Sequence, residues 1–391
     1  MKNGILMLAI LLMFMFSQGS AQDMEKKENE YFVYVGTYTM KMGHVDGKAD
    51  GILVYKLNKE TGELTFSSKI DDIVNPAFLD IDPQNRFLYA ANEIGDFDGT
   101  NGGGLSAFAI NPATGSLRLL NQQPTNGAYP CHVNIDKTGK YVYAANYGGG
   151  SITVFPIQKD GSVGPASDLV KHEGSSVNKS RQEAPHAHSL MIDAANQVAY
   201  AADLGIDKVM MYRLDLENGT LKPNSQPYLE VAAGAGPRHS DFHPNGKYFY
   251  VINELNNTIS VFAANEKSAE LGEIQTITTL PSDFEGGNST ADIHVHPSGK
   301  FLYGSNRGHN SIAVFSIDET SGKLSPVEHE STQGDTPRNF TIDPSGKFLL
   351  AANQDTDTVV SFWIHQETGE LISTGHMAEI PTPVCLKIIS L

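Results

Sequence analysis

The stretch DPSGKFLLAAN, residues 343–353, decides the fold because close relatives of it recur along the chain. The relatives are DPQNRFLYAAN (82–92), DKTGKYVYAAN (136–146), DAANQVAYAAD (193–203), HPNGKYFYVIN (243–253) and HPSGKFLYGSN (296–306). By subtraction, their last residues are separated by 54, 57, 50, 53 and 47 positions. A self-similar period of this size is typical of β-propellers and repeat arrays.

Each repeat reads as four β-strands. A first strand such as PRHSDFH (237–243) leads through a D/H-P-x-G-K turn to a second strand such as YFYVIN (248–253). A third strand such as NTISVFAAN (257–265) then leads through a T-G-x-L turn to a fourth. Alternating apolar and aromatic residues between Gly, Pro, Asn and Asp are strand and hairpin signals.

The two ends of the chain predict how the ring closes. YFVYVGT (31–37) is a seventh, truncated copy that begins at a second strand, and PTPVCLKIIS (381–390) reads as a first strand. We therefore predict an all-β fold, a seven-bladed β-propeller over residues 31–391 with four antiparallel strands per blade. The N- and C-terminal strands are expected to complete one blade together.

The N-terminus predicts export. Lys2 precedes an apolar run from Ile5 to Phe16 that is too short to span a bilayer comfortably, and cleavage is expected after Ala21. Residues 1–21 are thus predicted to be a signal peptide and residues 22–30 a polar linker. The mature protein would be periplasmic or secreted and not membrane-bound. A retained anchor and a cytoplasmic location are the alternatives.

Charge and cysteine content limit the partners. The chain has 45 acidic and 28 basic residues, a formal charge of −17, which argues against nucleic acid and anionic membrane as partners. Any anionic ligand would need a local cluster of arginines. The two cysteines, Cys131 and Cys385, fall on different repeats and are expected to be free, buried thiols. The oligomeric state is not predicted.

Propeller geometry brings distant residues together. The first strand of a blade lies innermost and the second is antiparallel to it, so Arg238 and His239 are expected beside Glu254 at one mouth of the channel. Long loops at 37–50, 93–104, 172–184 and 281–291 fall at the same mouth, where function is usually found. The predicted lining is His132, Tyr147, His186, His188, Arg238, His239, Glu254, Asp292, His294, Arg307, Arg338 and Asn339.

The residue types at this mouth indicate chemistry on an anion. Arginine suits a bidentate hold on carboxylate or phosphate, and histidine and glutamate are candidate general acids and bases. The segment PHAHS (185–189) places two histidines at i and i+2, a weak metal signal without a third ligand at fixed spacing. We predict no metal and no cofactor. His243 and His296 replace an aspartate in the D-P turn and are expected to be structural.

Three segments contain further motifs: GAGPRHSDFHPNGKYFYVINELNNTISVF (234–262), ADIHVHPSGKFLYGSNR (291–307) and DTPRNFTIDPSGKFLLAANQ (335–354). They resemble the propeller-type bacterial 6-phosphogluconolactonases, a family that includes the fungal carboxymuconate lactonizing enzymes. The resemblance implies a catalytic set of Arg238 and Glu254, through G-P-R-H and N-E-L-N, with Arg307 and either His186 or His188. We expect the substrate to contact His132, His239, Asp292, His294, Arg338 and Asn339.

The leading functional prediction is a lactonase that hydrolyses a sugar-acid lactone similar to 6-phosphogluconolactone. Water would attack the ring carbonyl, Glu254 or a histidine would take its proton, and arginine would stabilise the oxyanion. The predicted export leaves room for another sugar-acid lactone, because the family's phosphorylated lactone is cytoplasmic. The alternatives are a non-catalytic exported propeller that binds protein or carbohydrate, a lactonizing cyclase, and a metal-dependent lactonase using His186 and His188.

Overall fold

The computed structural model describes residues 30–43, 45–264 and 270–391 and is a ring of seven four-stranded antiparallel sheets. These residues form strands, turns and loops only, which confirms the predicted seven-bladed propeller. No segment of this described part forms a helix long and apolar enough to cross a membrane. The predicted signal peptide and residues 22–29 of the predicted linker lie outside the described residues.

The seven blades and one small hairpin account for all thirty strands of the described residues. Blade 1 contains β1 (Glu30–Thr37), β4 (Gly51–Asn58), β5 (Leu64–Asp71) and β30 (Pro383–Ile389), and the hairpin is β2 (Lys41–Met42) and β3 (Val45–Asp46). Blade 2 contains β6 (Pro76–Ile81), β7 (Phe87–Asn92), β8 (Gly104–Ile110) and β9 (Leu117–Pro124), and blade 3 contains β10 (Pro130–Ile135), β11 (Tyr141–Asn146), β12 (Ser151–Pro156) and β13 (Asp168–Lys171). Blade 4 contains β14 (Ala187–Ile192), β15 (Val198–Asp203), β16 (Lys208–Asp215) and β17 (Thr220–Glu230), and blade 5 contains β18 (Pro237–Phe242), β19 (Tyr248–Asn253), β20 (Thr258–Ala264) and β21 (Leu271–Thr278). Blade 6 contains β22 (Ser289–Val295), β23 (Phe301–Arg307), β24 (Ser311–Ile317) and β25 (Leu324–Ser331), and blade 7 contains β26 (Pro337–Ile342), β27 (Phe348–Asn353), β28 (Thr358–Ile364) and β29 (Leu371–Glu379).

Ring closure occurs in blade 1, as predicted. The C-terminal strand β30 pairs antiparallel with the N-terminal strand β1, in the order β30-β1-β4-β5. Cys385 therefore lies in blade 1 and Cys131 in blade 3, and both are buried free thiols. This placement is the one that the repeat predicted.

Burial falls from the second strand to the fourth within each blade. The second strand β27 is buried along its whole length, because its neighbours cover both of its faces. The fourth strand β5 contains exposed positions throughout, since it forms the outer edge of its blade. The apolar core is thus divided into layers between adjacent sheets, as sheet-on-sheet packing requires.

The D/H-P turns hold neighbouring blades together at the mouth opposite the long loops. Asp343 accepts two backbone amide hydrogens of its own turn, both at 2.7 Å. His243 and His296 replace this aspartate, and their Nε2 atoms lie 2.9 and 2.8 Å from the carbonyl oxygens of Gly299 and Gly346 in the next blade. The prediction that these two histidines are structural is confirmed.

Candidate active site

A repeated β-bulge positions one side chain near the channel mouth in six of the seven blades. In these six blades the pairing of the first two strands skips the second residue of the first strand. The skipped residues are Val384, Ala77, Cys131, His188, Arg238 and Arg338. A bulge redirects the side chain of the extra residue. The register therefore gives His188, and not His186, the position that Arg238 and Arg338 occupy in their own blades.

A second ring of side chains comes from the end of the second strand. The residue after the last position of each repeat is Tyr38, Glu93, Tyr147, Leu204, Glu254, Arg307 or Gln354. Six of these seven, all but Leu204, line one of two cavities at this mouth. The repeat thus builds the site from two rings of equivalent positions.

The main cavity opens at the mouth with the long loops and has a volume of about 920 Å³. This volume is in the range of small-molecule sites. Its charged lining is Lys41, Glu93, Arg181, Glu254, Arg307, Arg338 and Asp355. Four of these side chains are basic and three are acidic, although the whole protein has a charge of −17. The cavity is therefore far more basic than the average surface of this chain.

Glu254 forms ion pairs with three arginines. Its carboxylate oxygens lie 2.6 Å from Arg181, 2.9 Å from Arg238 and 3.0 Å from Arg307. Burial alone would raise the pKa of Glu254, but the three guanidinium groups hold it far below its ordinary value. The predicted meeting of Arg238 and Glu254 is confirmed, and Glu254 is a stable anion with very low basicity.

Arg238 lies deeper than predicted. It is buried beneath Glu254, donates to the carbonyl oxygen of Ala291 at 2.6 Å, and lines only a small lower cavity. The expectation that Arg238 faces the same open pocket as His188 and Arg307 is wrong. The residues at equivalent bulges, Cys131, His188 and Arg338, do line the main cavity, but Arg238 is held by the Glu254 carboxylate and the Ala291 carbonyl oxygen and does not line it. Its contacts suit it to hold Glu254.

The two histidines of PHAHS have different surroundings. His188 is buried, lines both cavities, and meets Tyr147 edge-on with ring centroids 5.5 Å apart. His186 stacks on the same Tyr147 ring at 4.5 Å and pairs with Glu183 at 3.2 Å, outside both cavities. The structure therefore does not support His186 as a catalytic residue. Burial and the nearby charge of Arg238 hold the pKa of His188 well below its ordinary value, so its imidazole is neutral at pH 7.

Cys131 is another neighbour of His188 that lines the main cavity. Its Sγ lies 3.7 Å from His188 Nδ1 and 3.3 Å from the His188 carbonyl oxygen. The sequence indicated no partner for this cysteine, because Cys131 and His188 are in different blades. Burial raises the pKa of the Cys131 thiol far above its ordinary value, so it stays protonated and is a poor nucleophile.

Four of the six predicted substrate-binding residues form a network below the main cavity, in which His239, Asp292 and Asn339 are buried and His294 is partly exposed. Asp292 lies 2.7 Å from His239 Nδ1 and 3.1 Å from His294 Nε2, and it accepts a hydrogen bond from Asn339 at 2.5 Å. His132 stacks on Phe78 at 4.1 Å. His239 lines the lower cavity, whereas His132, Asp292, His294 and Asn339 line neither cavity. The expected direct contact of these four with a substrate is therefore not supported by their positions.

Several residues that line the main cavity were not predicted from the sequence. They are Lys41, Glu93, Tyr129, Arg181, Gln354 and Asp355. Lys41 and Arg181 lie in long loops that the repeat places at this mouth. The sequence predicts the position of these loops, but it does not indicate which of their residues reach the cavity. Glu93 carried a sharper signal, because it follows Asn92 as Glu254 follows Asn253.

The described residues contain no group of three or more His, Cys, Asp or Glu side chains arranged to hold a metal ion. His186 and His188 share contacts with Tyr147 but differ in burial and in their polar partners. The geometry thus provides no observation in favour of the metal-dependent alternative.

Comparisons with known proteins agree with this architecture. A family model described as "Lactonase, 7-bladed beta-propeller" matches residues 32–388. The 6-phosphogluconolactonase of Bacillus subtilis is 38% identical over 311 residues, which cover 80% of this chain and 84% of the relative. A 6-phosphogluconolactonase of Formosa agariphila is 36% identical and covers 79% and 85%. The solved periplasmic gluconolactonase of Pseudomonas aeruginosa has a TM-score of 0.85 at 31% identity, covering 92% of this chain and 99% of its own. The chain therefore belongs to the seven-bladed β-propeller lactonase family.

Proposed function

We propose that the protein hydrolyses the lactone of a sugar acid that carries an anionic group. The observation that carries this proposal is the convergence of Arg181, Arg307 and Arg338 with the neutral imidazole of His188 around one cavity. The names of the relatives, 6-phosphogluconolactonase and gluconolactonase, support a sugar lactone as the substrate class.

Arg338 and Arg307 are suited to bind negative charge on the substrate. Arg338 donates to the neutral hydroxyl of Tyr38 at 3.0 Å, and its other N–H donors have no hydrogen-bond partner within the described part of the chain. Arg307 donates to Glu254 and to the Thr290 carbonyl oxygen, while its Nε has no hydrogen-bond partner among the described residues. One of these arginines would bind the anionic group and the other the developing oxyanion.

His188 is the better candidate for the general base. Glu254 is paired with three cations, and its low pKa makes it a weak proton acceptor. His188 is neutral, but burial and then the positive field of the arginines lower its pKa and so weaken its basicity. A bound anionic substrate would offset that field and raise the pKa of His188 towards its ordinary value, so the base would become effective when substrate is present.

The proposed reaction needs only water as a second reactant. The water oxygen attacks the lactone carbonyl carbon and forms the new C–O bond while His188 takes one water proton. The ring C–O bond then breaks and the ring oxygen leaves as a hydroxyl group, for which a proton must be supplied. The product acid ionises, so one proton is released per turnover at neutral pH.

The test is acid release from a panel of lactones in weak buffer: 6-phosphogluconolactone, glucono-1,5-lactone and a muconolactone. We expect hydrolysis above the spontaneous rate, with a lower KM for a lactone that carries phosphate or carboxylate. Parallel reactions with EDTA test the metal-dependent alternative, which predicts loss of activity and recovery with one divalent ion. No acid release from any lactone would instead favour a non-catalytic binding protein.

We further propose that the protein acts outside the cytoplasm, after cleavage following Ala21. The apolar run at residues 5–16 supports this, as does the resemblance to a gluconolactonase described as periplasmic. N-terminal sequencing of the native protein from fractionated cells is expected to give Gln22 in an extracytoplasmic fraction. A chain with Met1 intact in the cytosol would contradict the proposal.

A further inference from the structure

Glu93 is a buried carboxyl group at the main cavity, in the position of blade 2 that corresponds to Glu254 in blade 5. Unlike Glu254, it has no ion-pair partner within 4.0 Å among the described residues. Its Oε2 accepts a hydrogen bond from the Tyr38 hydroxyl at 2.7 Å, and Arg338 donates to that hydroxyl at 3.0 Å. No hydrogen bond within the described part of the chain reaches the other oxygen, Oε1.

Glu93 and His188 border the same two spaces. Both line the main cavity, and both line the lower cavity of about 10 Å³ beneath it. A cavity of about 10–15 Å³ is large enough for one water molecule. One water in the lower cavity would therefore have Glu93, His188 and Arg238 among its polar neighbours.

We propose that Glu93 is the general acid of the lactonase reaction and gives its proton to the ring oxygen as the ring C–O bond breaks. This inference rests on the proposed function, because it supplies the proton that the leaving oxygen needs. The Tyr38 hydroxyl holds Oε2, and Oε1 presents the transferable proton. Arg338 fixes the Tyr38 hydroxyl and so positions Glu93 indirectly.

The surroundings drive Glu93 and His188 towards opposite protonation states. Burial raises the pKa of Glu93, an effect only partly offset by Arg338, Tyr38 and Arg238. Burial and arginine charge lower the pKa of His188. Two groups with pKa values shifted in opposite directions at one site are suited to act as acid and base. The titratable or charged groups that border Glu93 are Tyr38, Cys131, His188, Arg238, His239 and Arg338.

The proton balance closes over one cycle. His188 gains a proton from the attacking water, and Glu93 loses one to the ring oxygen. Afterwards His188 returns a proton to the Glu93 carboxylate, directly or through a water in the lower cavity. The proton of the product carboxylic acid leaves to solvent.

Dependence on the leaving group tests this role. For Glu93→Gln we expect kcat on glucono-1,5-lactone to fall by about 100-fold, within the range for loss of a general acid. Hydrolysis of dihydrocoumarin is expected to fall by less than about 5-fold, because its phenolic leaving oxygen needs little protonation. Glu183→Gln is the matched control, since this rim carboxylate pairs with His186 outside the cavity and is expected to retain wild-type rates. Equal losses on both lactones would refute the acid role. A wild-type protein inactive on all lactones would refute the proposed function instead.

The pH profile gives an independent readout on the sugar lactone alone. Wild-type kcat/KM should decline at high pH as Glu93 loses its proton, and Glu93→Gln should lack this decline. Tyr38→Phe removes a hydrogen bond that lowers the pKa of Glu93, so it should move the decline to higher pH. A decline that stays unchanged in both variants would refute Glu93 as the acid, even if both variants lose activity.

Discussion

Replacement of His188 by glutamine is expected to lower turnover of a sugar lactone by on the order of 100- to 10,000-fold, the range for loss of a general base. His188 is the neutral imidazole of the main cavity, and Gln keeps hydrogen-bonding capacity but cannot accept a proton. The KM should change much less than kcat, because Arg181, Arg307 and Arg338 still bind the anion. Initial rates of acid release, with circular dichroism to verify folding, measure both parameters.

The role of His188 as a base also predicts in which direction kcat/KM changes with pH. A base must be unprotonated, and the pKa of His188 in the free protein is lowered by burial and arginine charge. The acidic decline of kcat/KM, which reports the free enzyme, is therefore expected below pH 6.5, the ordinary value for histidine. A decline centred above that value would contradict the assignment of the base.

Cys131→Ala separates this mechanism from covalent catalysis. The thiol lies 3.7 Å from His188 Nδ1, so a Cys–His pair is the strongest competing interpretation of the same geometry. We expect Cys131→Ala to retain activity within about 5-fold, since its raised pKa keeps the thiol protonated. A loss as large as that of His188→Gln, with trapping of an acyl-enzyme in the wild type, would establish a nucleophilic cysteine instead.

The repeat made the fold predictable, because each copy contains its own turn and strand signals. The closing of blade 1 by β1 and β30 followed from two incomplete copies at the ends of the chain. The same logic brought Arg238 to Glu254 across one blade. Ring closure and the meeting of Arg238 with Glu254 both follow from the repeat period and the direction of the strands, and both can be read from the sequence.

The depth of each side chain was not predictable in the same way. Arg238 lies beneath Glu254 because it pairs with that carboxylate, although other residues at the equivalent bulge line the main cavity. The choice between His186 and His188 depends on the bulge in blade 4. His132 and Asn339 were predicted to line the cavity because the repeat pattern does not distinguish successive residues of an inner strand. Arg181 reaches Glu254 from a loop whose path no repeat describes.

Glu93 was missing from the predicted site for a different reason. The equivalence of Asn92-Glu93 and Asn253-Glu254 was present in the repeat, but the family resemblance drew attention to Glu254 alone. The two carboxyl groups then differ by environment. Glu254 is surrounded by three arginines and is an anion, whereas Glu93 is buried beside a tyrosine and its pKa is raised. Equivalent positions in different blades therefore support different chemistry.

Glu254→Gln is expected to affect activity and stability together. From the sequence, the Arg238–Glu254 pair could be interpreted as either structural or functional. The geometry indicates that the pair has both roles. Arg238 and Glu254 are almost fully buried, with 3% and 6% of their side chains exposed, while Arg307 extends from the same carboxylate into the cavity. Turnover should fall by on the order of 100- to 1000-fold, comparable to the loss of an oxyanion donor, because Arg307 loses its orienting partner.

The stability effect has a defined size and pH dependence. Removing one partner of a buried ion pair costs about 3–5 kcal/mol, so the Tm should fall visibly. The pKa of Glu254 is depressed in the folded state, so its contribution is complete above the ordinary value of 4.5 and is lost as the pH falls towards the folded-state value. The difference in Tm between wild type and Glu254→Gln should therefore be constant near neutrality and narrow below about pH 4.5.

Inorganic phosphate provides the control for this variant. Without the Glu254 carboxylate, Arg181, Arg238 and Arg307 form a cationic cluster that an anion can neutralise, and a ligand that binds only the folded state stabilises it by mass action. Phosphate should thus raise the Tm of Glu254→Gln more than that of the wild type, without restoring turnover. A lowered Tm with full activity would show that the pair is structural only. Lost activity with an unchanged Tm would show that Glu254 acts on the substrate and not on the arginines, because unpaired buried guanidinium groups could not leave stability unaffected.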